Sequence, residues 1–407
     1  MGKEDFLKEI RKGICLLREG GPQVALIHHN DADGLTSAAI LAAALARAGF
    51  TAHRICIERV HPPIVARIHD QFPATILYVD LGGQAAPVIS EANQGRRTTL
   101  ILDHHHPHKP TDPRVLNIAT EFFGLSGDMD ISASTAAYFF ALELDEANRD
   151  LAHIAVLGAV GDEHDRGGGL VKENRDALQD AIEQGQVRMD VNEQGKEVYS
   201  LILFGKAVPM APLAIALTTL GGVGYYADGP DLGVRVCLEG LFPEARRRLE
   251  ALRQTQQTAY QSTTARLMRD GFQETEHIQW FSVGDDFSPM GVKIIGEYCW
   301  DIRNEDFVNP EKYIVGFQNM AAEVPGVGSF DWAQTKASMR LPTPLEHKIL
   351  IDRSMPGLSY LVPEAARRVG GSIDACHDYT AATIVDIGQE EALVMAMQEL
   401  VQARLST

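Results

Sequence analysis

Short apolar runs alternate with longer amphipathic or alanine-rich segments through the first 160 residues of the chain. The runs have the length of buried strands, and the segments between them have the length and spacing of helices. Strands that alternate with helices form a parallel sheet covered on both faces, so the pattern predicts a doubly wound α/β domain. The predicted strands are 23–27, 52–59, 75–79, 98–102 and 115–119, and the predicted helices are 4–18, 35–48, 136–144 and 151–160.

The second half of the chain begins with one long helical segment, 243–269, which lacks internal glycine and proline and has a weak apolar stripe. This composition predicts a connector, and the strand-like runs after it predict a second, smaller α/β domain. The glycine-rich stretch 221–230 lacks a lysine at P-loop spacing, so we predict no nucleotide site there. The predicted domains are 1–240, the connector 241–274 and 275–407, and the predicted C-terminal strands are 278–283, 292–298, 313–318, 336–339 and 380–385.

Composition limits the function classes that this chain can belong to. With 407 residues, of which 45% are hydrophobic, the chain is long enough for two or three packed domains. No apolar run approaches the roughly 20 residues of a membrane helix, and the first residues lack a secretory signal, so we expect a cytoplasmic protein without a membrane partner. The five cysteines are scattered and never spaced as CxxC, so any metal is expected to use oxygen and nitrogen ligands.

The formal net charge is −18. Contacts from lysine and arginine to phosphate dominate non-specific binding to nucleic acid, so this charge disfavours a surface coated for such binding. A local basic groove remains compatible with it. Part of the negative charge can also belong to a metal site, where cations offset it.

Carboxylates and histidines follow several of the predicted strands. Ligands bind at the carboxyl ends of strands in open α/β sheets, so we expect these side chains to converge. Their oxygen and nitrogen donors suit two Mn²⁺ ions, with Mg²⁺ as the alternative, and two such ions form a clamp for phosphoryl chemistry. Other interpretations stay open: Asp33 could cap a helix, and the histidine run could be a solvated loop. The predicted metal ligands are His29, Asp31, Asp33, Asp80, His104 and Asp162.

Four motifs in order carry a resemblance to a known family: His29-Asn-Asp-Ala-Asp-Gly34, Asp80-Leu-Gly82, Asp103-His-His105 and Gly161-Asp162. They resemble the DHH phosphoesterase superfamily, and most of all its archaeal-type RecJ-like nucleases. The resemblance implies one metal on His29, Asp31 and Asp80. It implies a second metal on Asp33, Asp80, His104 and Asp162, with Asp80 bridging. As catalytic residues it implies Asp103, which would orient the histidines, and His105, which would contact the scissile phosphate or the leaving group.

The C-terminal part resembles the substrate-binding domain that accompanies DHH domains. Ser338-Met-Arg340 is similar to its serine and arginine strand, and the loop at His377 is similar to its terminal histidine loop. The resemblance implies that Ser338, Arg340 and His377, with the glycines Gly370 and Gly371, bind substrate phosphate. The chain departs from the family at Cys376, where a glycine is usual. Glycine lets the backbone come close to a phosphate, and a side chain at this position changes the geometry of the loop.

The resemblance implies a metal-dependent phosphodiesterase, with RecJ-like 5′ to 3′ exonuclease activity on single-stranded DNA or RNA. The acidic charge keeps short oligonucleotides or a cyclic dinucleotide as alternative substrates. Family II pyrophosphatase is disfavoured, since the C-terminal cluster expected of it is absent. A third hypothesis is a non-catalytic scaffold for replication proteins, and replication or repair proteins are possible partners in any case. The sequence does not decide between DNA and RNA, which depends on contacts to the 2′-hydroxyl.

Overall fold

The structure is a computed structural model that describes residues 2–203 and 205–406, without the side chains of residues 373–375. The described chain divides into two compact units. The first runs to Glu250 and includes Val324–Gly328, and the second contains Ala251–Glu323 and the chain from Ser329 onward. Helix α10 (Pro243–Asp270) begins in the first unit and ends in the second. The predicted domain boundaries at 240 and 274 stay predictions.

The first unit is built on a parallel five-stranded sheet, as the alternating pattern predicts. All of its neighbouring strands run parallel, in the order β2-β1-β3-β4-β5. Strands β3 and β4 are buried along their whole length, which explains why they are nearly continuous apolar runs rather than alternating ones. The strands are β1 (Gln23–His28), β2 (Thr51–Cys56), β3 (Thr75–Val79), β4 (Thr99–Leu102) and β5 (Val115–Asn117).

Helices surround this sheet, and a small antiparallel sheet follows them in the chain. The helices are α1 (Lys3–Glu19), α2 (Ala32–Arg47), α3 (Pro62–Gln71), α4 (Ala86–Asn93), α5 (Ala133–Leu144), α6 (Ala152–Gly161), α7 (Lys172–Glu183), α8 (Met210–Thr218) and α9 (Gly229–Glu239). The small sheet has the order β6-β7-β8, with strands β6 (Val187–Val191), β7 (Glu197–Leu203) and β8 (Lys206–Pro209). Within the described residues, no helix of either unit is long and apolar enough to cross a membrane.

Close packing of α2, α5 and α6 fixes the loops at the carboxyl end of the sheet. Most residues of α2 are buried, and its small alanines allow α5 and α6 to approach closely. Gly158 on α6 marks the tightest point. A Cβ at this position would lie 2.2 Å from Ser134 Oγ on α5 and 2.3 Å from Thr36 Oγ1 on α2. These three helices therefore hold the ends of β1 and of α6 in fixed positions.

The second unit is a mixed six-stranded sheet with helices, of the order β15-β16-β14-β11-β10-β9. Only β10 and β11 pair in parallel, and the other neighbours are antiparallel. Its elements after α10 are β9 (Gln273–Glu274), β10 (Ile278–Gly284), α11 (Ile294–Ile302), β11 (Tyr313–Asn319), β14 (Gln334–Arg340), α12 (Thr343–Leu350), α13 (Leu358–Arg368), β15 (Ser372–Cys376), β16 (Thr380–Asp386) and α14 (Glu390–Leu405). A two-stranded hairpin, β12 (Glu323–Val324) and β13 (Gly328–Ser329), interrupts the order.

The predicted strand 292–298 is wrong, because this segment forms helix α11. A short apolar run does not distinguish a buried strand from a buried helix by its periodicity. The buried apolar positions Ile294, Ile295, Tyr298, Cys299 and Ile302 follow the spacing of one helix face. That face packs on β11 and β14, so tertiary packing decides the conformation. The other four C-terminal strands lie where the pattern predicts them.

Candidate metal centre

The strand order opens a crevice at the carboxyl end of the first sheet. From β1 the chain passes to β2 on one side of it, and then to β3 on its other side, so the direction of the strand order reverses at β1. In open α/β sheets, ligands bind at such a reversal. The loop after β1 carries His29 and Asp31, the first turn of α2 carries Asp33, and Asp80 directly follows β3. Asp80 has a φ of 61°, a left-handed conformation that is uncommon for a residue other than glycine and turns the chain sharply here.

One group of side chains forms around His29. Its Nδ1 lies 2.8 Å from Asp31 Oδ2 and 3.5 Å from Asp80 Oδ2. Asp31 is also the N-cap of α2, because its Oδ1 accepts a hydrogen bond from Gly34 N at 3.0 Å. Asp33 does not cap this helix, so that alternative interpretation is wrong. One Asp31 oxygen therefore fixes the helix start, and the other faces His29.

A second group forms around His104. Its Nε2 lies 3.4 Å from Asp80 Oδ1, 3.6 Å from Asp162 Oδ2 and 4.0 Å from Asp33 Oδ2. Asp80 thus directs one oxygen to each group. The structure brings together all six predicted metal ligands. We call these residues, His29, Asp31, Asp33, Asp80, His104 and Asp162, the six-residue cluster.

The N-terminus of α5 holds Asp33. Its two carboxylate oxygens accept hydrogen bonds from Ala133 N at 2.7 Å and Ser134 N at 2.9 Å. Ser132 is the N-cap of the same helix, with its Oγ accepting from Thr135 N at 3.2 Å. The N-terminus of this helix is therefore capped by a serine and also binds an anion, which is the side chain of Asp33.

The geometry of His104 supports a cation at the cluster. His104 Nδ1 lies 2.7 Å from Gly127 O, and since a carbonyl only accepts, Nδ1 carries the proton. In a neutral imidazole the lone pair of Nε2 then faces three carboxylates, at separations that are mostly too long for hydrogen bonds. Asp80 Oδ2 is also buried without a hydrogen-bond partner among the described residues. A divalent cation between these atoms would satisfy all of them.

The electrostatics of the cluster lead to the same conclusion. Burial, together with the neighbouring Asp80 and Asp162, raises the pKa of Asp33 to about 8. Burial and Asp31 raise the pKa of Asp80. Buried carboxylates such as Asp33 and Asp80 are costly to ionise unless cations neutralise them. Carboxylates and imidazoles without thiolates suit Mn²⁺ or Mg²⁺, so the donor set fits the predicted ions.

Asp103 and His105 form a separate pair beside the cluster. Asp103 is buried, and its carboxylate accepts from Gly83 N at 2.7 Å, His104 N at 2.8 Å and His105 Nδ1 at 2.7 Å. Asp103 therefore orients His105 through its ring and His104 through its backbone. The His105 side chain is 50% exposed, so part of its ring is accessible for a substrate.

Sequence reasoning did not assign a role to His164 in this network. Asn174 Oδ1 accepts from Ser132 N at 3.1 Å and from Thr135 Oγ1 at 2.7 Å, so its amide nitrogen faces His164 Nδ1 at 2.8 Å. His164 Nδ1 is then an acceptor, and the neutral ring carries its proton on Nε2. That nitrogen lies 3.0 Å from Asp162 Oδ2 and donates to it. Asn174 comes from α7, too far along the chain for motif spacing to suggest the contact.

We expect His164→Ala to weaken one metal site. Without the hydrogen bond from His164, the Asp162 carboxylate is no longer oriented, and loss of such a partner typically lowers metal affinity by about 10- to 100-fold. Calorimetric titration with Mn²⁺ measures this loss, and the site around His29 is expected to keep its affinity. His153→Ala, on α6 and outside the cluster, is the control. Equal Mn²⁺ affinities in the two variants would contradict the assignment.

Two glycines allow the surrounding loops to approach the cluster. A Cβ at Gly127 would lie 1.7 Å from His104 O, and a Cβ at Gly221 would lie 1.7 Å from Asn30 O. Asn30 lies between His29 and Asp31, and its side-chain amide donates to Gly221 O at 3.3 Å. The sequence suggested no site at 221–230, yet this stretch supports the first ligand loop. Its run of glycines was the available signal.

We expect Gly127→Ala to displace the loop that orients His104. The added methyl group overlaps a backbone oxygen that cannot move freely, and such overpacking costs roughly 1–3 kcal/mol. Thermal unfolding should therefore show a lower melting temperature, and Mn²⁺ titration a weaker site. Gly167→Ala is the control, because its Cβ would meet only Met129 at an ordinary 3.4 Å. Unchanged Mn²⁺ affinity in Gly127→Ala would rule out this role of the loop.

The predicted substrate-binding residues of the second unit lie in two places. Arg340 pairs with Thr380, whose carbonyl accepts from His377 N at 2.8 Å, so Arg340 and His377 lie at one end of the sheet. Arg340 and Ser338 lie side by side against Gly296 of α11, where a Cβ would be 2.7 Å from Arg340 Nη2 and 3.2 Å from Ser338 Oγ. His377 itself is exposed.

Gly370 and Gly371 precede β15 and lie at its other end from His377. Gly370 has a φ of 73°, so it serves the turn after α13. The structure therefore does not bring these glycines to Arg340, because the five residues of β15 separate them from the histidine loop. Cys376 ends β15, where its Sγ lies 3.9 Å from Ala382 O.

Comparison with known proteins agrees with this architecture. Residues 23–161 match the DHH family, N-terminal domain. Over 167 residues, the chain is 28% identical to an uncharacterized protein of Methanocaldococcus jannaschii, an alignment that covers 38% of this chain and 37% of that protein. RecJ of Thermus thermophilus in complex with Mn²⁺ has a TM-score of 0.62 at 15% identity, covering 98% of this chain and 55% of that one.

Two further structures cover almost the whole chain. Exonuclease RecJ bound to manganese has a TM-score of 0.58 at 17% identity, covering 98% of this chain and 94% of that one. CDC45 from Entamoeba histolytica has a TM-score of 0.59 at 12% identity, covering 97% and 99%. At these identities the likeness shows the fold. The chain spans about half the length of the Thermus protein. Residues 23–161 therefore match the DHH N-terminal domain, and the fold of the chain is RecJ-like.

Proposed function

We propose that this chain is a two-metal phosphodiesterase that shortens single-stranded DNA or RNA from its 5′ end. The observation that carries the proposal is the position of Asp80, whose two oxygens face His29 at 3.5 Å and His104 at 3.4 Å. A carboxylate shared in this way would hold two cations side by side. Bound Mn²⁺ or Mg²⁺ supplies a water of lowered pKa and neutralises charge that develops on the phosphate.

The residues of the chain hold the site in position. The α5 amides fix Asp33, the Gly127 carbonyl fixes the tautomer of His104, and His164 orients Asp162. Each anchor comes from the first unit itself, so these contacts hold the donor atoms without a bound substrate. Such preorganisation is a major source of rate enhancement, because little reorganisation is needed during the reaction.

His105 is suited to act on the substrate itself. Its Nδ1 donates to Asp103, which fixes the ring, and the exposed part of the ring can reach a phosphate oxygen. Burial lowers the pKa of His105, but the Asp103 carboxylate raises it, and the net shift is upward. An upward shift of the pKa favours the doubly protonated ring, in which Nε2 also carries a proton. That proton can be donated to a non-bridging oxygen or to the leaving group.

The 5′ polarity and the nucleic-acid substrate rest on the RecJ-like fold. Two alternatives have support of their own. The net charge of −18 favours a short oligonucleotide or a cyclic dinucleotide, which needs fewer phosphate contacts. The resemblance described above keeps a non-catalytic scaffold among replication or repair proteins as the other alternative, but all six positions of the cluster hold carboxylates or imidazoles, which can bind metal. A catalytic chain could also bind such partners.

One set of assays separates these functions. The protein is incubated with Mn²⁺ and, in parallel, a long single strand labelled at its 5′ end, a short RNA, a cyclic dinucleotide and pyrophosphate. Rapid release of the labelled mononucleotide from the long strand supports the proposal. Turnover of the small substrates alone would overturn it. No turnover of any substrate, equal to that of Asp80→Asn, would favour the scaffold.

A further inference from the structure

The small antiparallel sheet of the first unit presents an open edge strand, β6. Within the described residues, β6 pairs with β7 alone. Arg188, Met189, Asp190 and Val191 are exposed, and Val191 is 63% exposed. An edge strand with exposed apolar residues and no proline is a template for pairing with another strand. The cluster and its chemistry do not use this hairpin.

The backbone groups of β6 show which residues offer free hydrogen bonds. Ile202 N donates to Gln186 O at 2.8 Å, and Asn192 N donates to Lys196 O at 2.9 Å, on either side of the paired segment. Because bonded and non-bonded pairs alternate in antiparallel sheets, the even-numbered residues of β6 bond toward β7. Val187, Met189 and Val191 therefore direct their N–H and C=O groups to the open side.

The sequence of β6, Val187-Arg-Met-Asp-Val191, has a valine at each end and opposite charges on the two sides of Met189. If a second copy of the strand pairs with it antiparallel around Met189, Arg188 lies opposite Asp190 of the partner subunit. Val191 lies opposite Val187 of the partner subunit. Each of the two pairs then joins a positive and a negative side chain, and such cross-strand pairs are favourable. The outward hydrogen bonds of Met189 and the two valines are also satisfied.

We propose that two copies of this chain associate through β6, which joins their small sheets into one continuous six-stranded sheet. The interface is isologous, as expected of a two-fold dimer. Charge complementarity selects the second copy as the partner, because the same strand supplies both members of each pair. Within one chain, Arg188 Nε already lies 2.7 Å from Asp190 Oδ2, so both charges are on the same face of the strand. This proposal does not depend on the proposed function.

The test exchanges the two charges. Sedimentation analysis is run on the full chain at concentrations up to the order of 100 µM, because an interface of this size is weak. The wild type is expected to sediment as a dimer. Arg188→Asp and Asp190→Arg each place like charges opposite each other and should give monomers. The double variant, which has the net charge of the wild type, restores both pairs and should dimerise again.

A second variant tests the backbone pairing. Met189→Pro removes the central outward N–H, and proline is tolerated where that N–H faces away from the neighbouring strand. We expect a monomer with a melting transition close to that of the wild type. A monomeric wild type over this range would overturn the proposal. So would dimeric single variants, or a double variant that remains monomeric beside a dimeric wild type.

Discussion

Asp80→Asn is expected to lower the rate of phosphodiester hydrolysis by about 10³-fold or more. Asp80 is 2% exposed and faces both His29 and His104, so its loss disturbs both metal positions at once. A metal contributes several kcal/mol of transition-state stabilisation, and about 4 kcal/mol corresponds to a factor of 10³. The change keeps the size of the side chain, which limits the effect on packing. Initial rates with a labelled single strand and Mn²⁺ measure it.

Two measurements separate loss of chemistry from loss of fold in this variant. Thermal unfolding in the absence of metal should show a protein at least as stable as the wild type, because one of several mutually repelling carboxylates is gone. Asp176→Asn, an exposed carboxylate on α7, is the control and should keep full activity. Hydrolysis by Asp80→Asn within tenfold of the wild type would contradict a shared ligand.

His104→Ala and His105→Ala are expected to fail in different ways. The Nε2 of His104 faces three carboxylates, whereas the Nδ1 of His105 is held by Asp103. Loss of His104 should weaken Mn²⁺ binding by about 100-fold or more. Loss of a residue that only hydrogen-bonds to a metal ligand already lowers metal affinity by about 10- to 100-fold. Loss of His105 should leave Mn²⁺ binding nearly unchanged and slow turnover by about 10²- to 10⁴-fold.

The contrast between the two variants is its own control. The histidines are neighbours with rings 4.3 Å apart, so a general disturbance of the loop would affect both properties in both variants. Mn²⁺ affinity from calorimetry and turnover at saturating Mn²⁺ are compared for each. Equal loss of Mn²⁺ affinity from the two changes would show that the division of roles is wrong. His106→Ala, on an exposed ring paired with Glu121, should change neither.

The strands that carry the cluster could be predicted because two signals coincide in them. Buried parallel strands are continuous apolar runs, and the polar residues that interrupt them mark the carboxyl end of the sheet. Asp80 follows β3 in this way, and Asp103 follows β4. The same reasoning failed at α11, where a short apolar run is compatible with either conformation and packing on β11 and β14 selects the helix.

The residues that support the cluster could not be predicted from spacing. Gly127, Asn174 and Gly221 reach the site from loops and helices that follow no strand of the main sheet. Their roles depend on backbone carbonyls and amide orientations, which tertiary packing determines. Likewise, Arg340 and His377 share one end of the second sheet because of strand register, and Gly370 lies at the other end for the same reason.

The most direct test of the two-metal site is anomalous diffraction at the manganese edge from crystals grown with Mn²⁺. We predict two peaks in the first unit, one beside His29 and Asp31 and one beside His104 and Asp162, with Asp80 between them. Crystals of Asp80→Asn under the same conditions should lose at least one peak. A single peak in the wild type, or two peaks that do not flank Asp80, would contradict the proposed site.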